Sequence, residues 1–309
     1  MTQRVKKAIF LYNRVSGRAT IARQAHKILN IFRGAGYEAT SQKITFQPDE
    51  ADTLFEGRDD LDLVVVAGGD GTVNYIVNIM KSVGVKAALG VIPAGTANDF
   101  ALALGMNRNP LKAAMQIASG VEEEVDCGYV NGQYFVNIFS FGIFTTTSQR
   151  TPNELKQKIG KFAYIVEGFK DIQNLHDIEL KIIADEKSFR INSLMVLIFN
   201  GSTAGGFSLV RGSSVRDGLL NCLIIENNSL LYTVLALLRF FVGGNPSGMK
   251  QIQARNIQIL CDDYEPTDAD GQRGVDFPLN IECLQGELKM ISARVDKTHP
   301  TQYPTNLTQ

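Results

Sequence analysis

Three short runs of glycine and small polar residues carry the chemistry this chain can do. They are Asn13-Arg14-Val15-Ser16-Gly17, Gly68-Gly69-Asp70-Gly71-Thr72 and Pro93-Ala94-Gly95-Thr96-Ala97-Asn98-Asp99. Glycines between an apolar run and a helical pattern leave backbone N–H groups bare at a helix N-terminus, where the dipole favours an anion such as phosphate. Asp70 inside such a turn repels bare phosphate and suits the place only if a cation comes too. Asp99, in the third run, adds a second carboxylate. Two acids beside such amides fit a metal–nucleotide complex, with Mg²⁺ offsetting repulsion among the oxygens. The chain has no G-x-x-x-x-G-K-[ST], so it is not a P-loop protein. Taken alone, the middle run also reads as an ordinary Gly-Asp-Gly turn.

A later pair, Asp270-Gly271, lies in a polar stretch between strand-like segments. A primary alcohol is a poor nucleophile, and a positioned carboxylate there could take its proton as a P–O bond forms. The same dipeptide is also a hairpin turn signal. Asp217-Gly218 is ambiguous in the same way, and Asp126, following Glu122, Glu123 and Glu124, also reads as a solvated strand-edge acid. His26, His176 and His299 stand alone, with no catalytic role expected of them.

Patterned elements must position these residues. Residues 8–12 and 63–67 are short apolar runs of the kind that make buried parallel strands. Residues 37–44 and 88–92 read as further strands. Ile21, Ala25, Ile28, Leu29 and Phe32 share one helix face, stopped at Gly34 or Gly36; Val73, Ile76, Val77 and Met80 share another, with Thr72 as its expected N-cap. Asn98 or Asp99 can cap a short helix ending at Gly105, and Asn109-Pro110 starts one closing at Gly120. Strands alternating with helices to about residue 120 predict a parallel α/β sheet, whose ligands bind at the carboxyl ends of the strands. From Asp126 onward the pattern turns to strands, expected at 134–141, 178–184, 189–199, 219–226, 257–261, 277–283 and 287–291, with one helix over 155–169. An antiparallel β domain is the expectation there.

The chain has 309 residues, is 44% hydrophobic and 20% charged, and carries a formal net charge of −1. That composition is of a globular protein with room for two cores, and the absent basic block argues against nucleic acid as a partner. Cys127, Cys222, Cys261 and Cys283 are scattered without a C-x-x-C pair, which suggests thiols in a reducing compartment. Residues 230–242 form the longest apolar run, interrupted by Arg239 and too short to span a bilayer. With Lys250 and Arg255 following, the run reads either as a core helix or as a surface that docks on a membrane.

Taken together and in order, Asn13-x-x-Ser16-Gly17, Gly-Gly-Asp-Gly-Thr-Val-Asn over 68–74, Pro93-x-Gly-Thr-x-Asn-Asp-Phe100 and Asp270-Gly271 resemble the bacterial diacylglycerol kinase-like lipid kinases over nearly the whole chain. The first and third motifs separate this family from NAD kinases, which share the Gly-Gly-Asp-Gly turn. The resemblance implies an α/β nucleotide domain over 1–125 and an antiparallel β-sandwich lipid domain over 126–291, with the segment from about 292 to 309 returning to the first. By position it implies ATP contacts at Asn13, Ser16, Gly17, Thr45, Gly68, Gly69, Asp70, Gly71, Thr72, Val73, Asn74 and Thr96. Thr45 fits because Ala51 lies six residues on, with Asp49 shifted by one from the family pattern. An aspartate network of Asp70, Asp99 and Asp126 would surround Mg²⁺. A second, structural Mg²⁺ would sit at Asp217 with the carbonyls of Ser214 and Leu219, and Asp270 would accept the proton. Gln272, Tyr75 and Arg14 depart from the family's Glu, Glu and Pro. Glutamine neither accepts a proton nor offers a full charge.

The expectation is therefore ATP- and Mg²⁺-dependent phosphorylation of a lipid hydroxyl, most simply diacylglycerol to phosphatidic acid. The protein would be cytoplasmic, peripherally associated with the inner face of the membrane, with a homodimer as one assembly to test. The alternatives are transfer to a soluble acceptor such as NAD, or nucleotide or lipid binding without turnover.

Overall fold

β-branched runs buried on both faces build the first half of the molecule. In the computed structural model, which describes residues 4–13, 20–47, 49–58, 60–142, 177–204, 207–208, 210, 212–226, 248–263 and 265–293, these runs lie side by side. Strands β1 (Lys6–Asn13), β2 (Tyr37–Ile44), β3 (Leu63–Gly68) and β4 (Ala88–Pro93) pair in parallel in the order β4-β3-β1-β2. Every residue of β3 and β4 is buried, as a sheet covered on both faces requires. Helices α1 (Thr20–Gly34), α2 (Glu50–Phe55), α3 (Asp70–Ser82), α4 (Asp99–Ala103) and α5 (Pro110–Ala118) connect and cover them. Ile21, Ala25, Ile28 and Phe32 of α1 and Val73, Ile76, Val77 and Met80 of α3 enter the core, as their spacing predicts.

The second half is antiparallel. It comprises β5 (Val121–Val130), β6 (Gln133–Phe135), β7 (Ile138–Gly142), β8 (Ile178–Ala184), β9 (Lys187–Asn200), β10 (Thr203–Ala204), β11 (Phe207–Ser208), β12 (Leu220–Glu226), β13 (Met249–Ala254), β14 (Asn256–Cys261), β15 (Thr267–Ala269), β16 (Gln272–Arg273) and β17 (Leu279–Ser292). The long strand β17 joins the halves. It runs antiparallel to β14 and β5, and meets β4 in parallel at Met290 and Leu89. One buried cluster surrounds Phe10, Phe32 and Phe100 and takes in Val125 and Met290; a second gathers Phe135, Phe139, Phe141 and the β8, β9 and β14 side chains. The result is the expected α/β unit with a parallel sheet plus an antiparallel β sandwich.

Local expectations need correction. Helix α3 is capped at Gly69, not Thr72: the Thr72 and Val73 amides already close onto the Gly69 carbonyl, at 2.9 and 3.1 Å. The strands expected at 277–283 and 287–291 are the single strand β17, whose register shifts between Leu284 and Leu288. The bulge residue Gly286 takes φ +66°, which glycine adopts at no steric cost. The strand expected at 134–141 is broken into β6 and β7. The patterns did not reveal α2, β5, β10, β11, β13, β15 or β16. The helix expected over 155–169, the apolar run 230–242 and the segment beyond residue 293 lie outside the described residues, as do His176 and His299. Among the described residues no helix is long and apolar enough to cross a membrane.

Candidate active site

The glycines of the Gly68–Gly71 turn are each required by a different neighbour. A Cβ on Gly68 would lie 2.4 Å from the Thr72 side chain, and one on Gly95 would lie 2.5 Å from the Gly69 Cα. A Cβ on Gly71 would lie 2.8 Å from the carbonyl oxygen of Asp270. Three chain segments, from β3–α3, β4–α4 and β15–β16, thus meet backbone to backbone at the start of α3. With the Thr72 and Val73 amides committed to Gly69, the first-turn amides without an intrahelical acceptor are those of Asp70 and Gly71. One turn on, Asn74 is buried, its side-chain oxygen accepts from Asn78, and its amide NH₂ has no hydrogen-bond partner among the described residues. Val73 is in the core, and Thr96 is exposed at the mouth.

Asp70 reaches from the first turn of α3 to the N-terminus of α4. Its two oxygens accept from the amides of Phe100 (3.1 Å) and Asp99 (3.2 Å). Asn98, in the N-cap position of α4, holds its own loop instead: at φ +57° it accepts from the Gly95 N–H (2.7 Å) and donates to the Gly95 carbonyl (2.8 Å). Burial, and then the nearby Asp99 carboxylate, push the Asp70 carboxyl up to about 6, against the pull of the two amides. Like charges gathered at bare helix amides are the setting in which a cation and a phosphate belong together. Among the described residues, no three or more acid, histidine or cysteine side chains converge to hold a metal by themselves. Mg²⁺ asks less than that, because it commonly takes one or two carboxylates and completes its shell with phosphate and water.

Asp270-Gly271 is both a hairpin and part of this site. The two residues have φ of +52° and +86°, as a two-residue primed turn requires, and Ala269 pairs with Gln272 across it. The Asp270 carboxylate is buried in a row of backbone amides: Val136 N–H donates to Oδ2 at 2.7 Å, Asn137 to Oδ1 at 3.1 Å and Ile138 to Oδ1 at 2.8 Å. This is the physical reason for the break between β6 and β7, since these amides face a carboxylate instead of a neighbouring strand. Burial holds the Asp270 carboxyl well above the ordinary carboxylate range; the Ile138 and Val136 amides oppose this, while Asp70 and Asp268 add to it. Gln272 donates its side-chain amide to the Gly71 carbonyl at 3.0 Å, a bond glutamate could not make when ionised.

A buried acid absent from the expected set sits at the outer edge of the mouth. Glu50, 2% exposed, accepts from the Thr45 N–H and from the Thr45 hydroxyl at 3.0 Å, from the Phe46 N–H at 2.7 Å and from the Tyr75 hydroxyl at 2.9 Å. The acid that organises Thr45 is therefore Glu50, not Asp49. Its position immediately before Ala51 was the available signal. Asn13 ends β1 in register with Ile44, beside this loop.

The structure brings Asp70, Asp99, Asp270 and the glycine turn together. It does not bring the Asp126 carboxylate into that group. Asp126 is buried elsewhere, accepting from the Gly218 N–H (2.7 Å) and the Gly286 N–H (2.9 Å), so it ties the β17 bulge to the 213–218 loop. Asp217 is exposed and closes that loop by accepting from the amides of Ser214 (2.9 Å) and Leu219 (3.1 Å). Ser16 and Gly17 lie outside the described residues.

Comparison with known proteins gives a consistent picture. Residues 7–130 match the model of the diacylglycerol kinase catalytic domain, and residues 137–292 match that of the YegS C-terminal NAD kinase beta sandwich-like domain. A diacylglycerol kinase of Bacillus subtilis (strain 168) is 37% identical over 229 residues, covering 73% of this chain and 76% of that protein. One from Staphylococcus epidermidis is 30% identical over 295 residues, covering 94% and 93%. A crystal structure from Bacillus anthracis str. Sterne, provisionally described as a diacylglycerol kinase, superposes with a TM-score of 0.78 at 25% identity and covers 94% of this chain and 97% of that one.

Proposed function

Because the chain belongs to the bacterial diacylglycerol kinase-like lipid kinase family, we propose that it transfers the γ-phosphoryl group of ATP to the hydroxyl of a lipid, diacylglycerol or a related glycerolipid. The observation that carries this reading is the seating of the Asp270 hairpin on Gly71, the first turn of the helix that would take the phosphates. An acceptor alcohol between the two halves would then have a carboxylate on one side and the triphosphate on the other.

The residues divide the work as follows. The Asp70 and Gly71 amides and the Asn74 NH₂, which has no partner among the described residues, receive phosphate oxygens. Asp70 and Asp99 would hold Mg²⁺, which supplies charge neutralisation on the transferred group when bound. The lipid oxygen forms a bond to the γ-phosphorus as the bridging P–O bond to ADP breaks, and the hydroxyl proton passes to Asp270. Its Oδ2 accepts a short bond from the Val136 N–H (2.7 Å) and only a long, shared one from Asn137 (3.4 Å), which the substrate hydroxyl would displace, and burial makes the carboxyl a better proton acceptor. Gln272 takes no proton and holds the hairpin in place. Asp217 keeps a second lone pair on each oxygen, and a structural Mg²⁺ there would share it with the carbonyls of Ser214 and Leu219. A bilayer-resident substrate requires peripheral contact with a membrane, for which the 230–242 run is the candidate surface.

The test is incubation with a total lipid extract and γ-labelled ATP–Mg²⁺, followed by phase separation and mass spectrometry. Label in phosphatidic acid or a related phospholipid supports the proposal, and label on a soluble acceptor such as NAD overturns it. A second reading, nucleotide binding without turnover, is favoured by the neutral Gln272 and the amide-clasped Asp270. Nucleotide binding with no phosphorylated product from any lipid would establish it.

A further inference from the structure

Among the described residues Phe46 is the one large aromatic side chain among the exposed hydrophobics, with 40% of its surface accessible. It holds that position at φ +59°, in the left-handed region that a bulky residue adopts only when its surroundings impose it. Here they do: the Phe46 N–H is fixed to the buried Glu50 carboxylate, and its ring meets Tyr75 with centroids 4.9 Å apart at 49°. Tyr75 is fixed in turn, its hydroxyl donating to Glu50 at 2.9 Å. A buried carboxylate thus braces two aromatic rings, one of which is turned outward.

The place of this pair gives it a use. Ile44, the end of β2, is level with Asn13 at the end of β1, and β1 is in register with β3, so Phe46 stands at the same carboxyl rim as the glycine turn. Tyr75 lies five residues beyond Asp70 on α3, about 7.5 Å along its axis at 1.5 Å per residue. That separation is on the scale between the phosphates and the base of a nucleotide. We infer that Phe46, braced by Tyr75 and Glu50, is the stacking platform for the adenine base of the nucleotide bound at the Gly68–Thr72 turn. This inference rests on the proposed use of ATP and adds to it a base-binding residue that no motif marks.

The test compares two probes that share phosphates and differ in the base. Equilibrium binding of ATP and of inorganic tripolyphosphate, each with Mg²⁺, is measured for the wild type, Phe46→Ala and Phe46→Trp, with urea unfolding to show that each variant is folded. Loss of one base–aromatic stack weakens ATP binding by about tenfold in Phe46→Ala, leaves tripolyphosphate binding unchanged, and is reversed in Phe46→Trp. Phe46→Ala that binds ATP as the wild type does, or that loses both probes equally, overturns the inference while wild-type ATP binding leaves the kinase reading standing. Wild-type protein that binds tripolyphosphate and ATP equally also overturns it, and wild-type protein that binds no ATP overturns both.

Discussion

Gly71→Ala places a methyl group against the Asp270 carbonyl and so tests the seating on which the proposed reaction depends. The added Cβ would stand 2.8 Å from that oxygen, and ordinary contact begins near 3.4 Å, so about 0.6 Å must be absorbed. Neither side yields cheaply. The oxygen is backbone, the Asp270 carboxylate is clasped by the 136–138 amides, and Gln272 is bonded to Gly71 itself. Displacing a catalytic group by about 1 Å costs about a hundredfold in rate, so a shift of this size predicts roughly tenfold lower kcat. Stability changes less, because alanine favours the helix by about 1 kcal/mol while overpacking costs about 1–3 kcal/mol. The assay is label transfer from ATP to diacylglycerol in mixed micelles, with urea unfolding alongside. Gly34→Ala is the control, since a Cβ there meets nothing within 4 Å; it should stabilise α1 by about 0.5–1 kcal/mol with unchanged activity. Gly71→Ala with wild-type kcat would refute the reasoning.

Other outcomes follow from the same contacts. Asp70, pushed up to about 6, must ionise to serve a cation, so kcat/KM should fall about tenfold per pH unit below that value. Its folded-state value lies above the unfolded one, so its contribution to stability is fullest below pH 4 and is lost as pH rises to about 6. Urea unfolding over that window should show a slope of up to about 1.4 kcal/mol per pH unit from this group, absent in Asp70→Asn. Glu50→Gln, which removes an acceptor shared by Thr45, Phe46 and Tyr75, should raise the KM for ATP several-fold, with a smaller rise in Tyr75→Phe, both read from steady-state kinetics. Asn98→Ala should cost about 2 kcal/mol in chemical denaturation, losing both bonds to Gly95 and leaving alanine at φ +57°. Asp270→Asn should reduce lipid phosphorylation at least about a hundredfold while nucleotide binding persists.

The parallel sheet was legible because β1, β3 and β4 are short apolar runs that end in glycine or polar turns, and α1 and α3 because their apolar residues keep helical spacing. Asn109-Pro110 likewise announced α5, where Asn109 accepts from the Leu111 and Lys112 amides. Three features resisted for physical reasons. The first half of β5 holds three consecutive acids, exposed Glu122 and Glu124 around half-buried Glu123, so they mask a strand that β17 covers. The break at 136–137 could not be read locally, since its cause is a carboxylate more than 130 positions away. Glu50 carries no signal beyond its place before Ala51; only folding shows four donors, from Thr45, Phe46 and Tyr75, converging on it. The glycine turn and Asp99 were legible as types and spacings and Asp270 only through the family resemblance, whereas the departure of Asp126 to the Gly218 and Gly286 amides was not legible.

The central claim is that Asp70 and Asp99, with Asp270 opposite, gather around a metal-bound triphosphate at the first turn of α3. Crystals grown with ATP and Mn²⁺ test it through the anomalous signal of the metal. The account predicts a peak beside the Asp70 and Asp99 carboxylates, bridged to phosphate oxygens, with the γ-phosphate facing the Asp270 hairpin. Bound nucleotide whose phosphates lie away from Gly69–Gly71, or a metal peak remote from both Asp70 and Asp99, would contradict it.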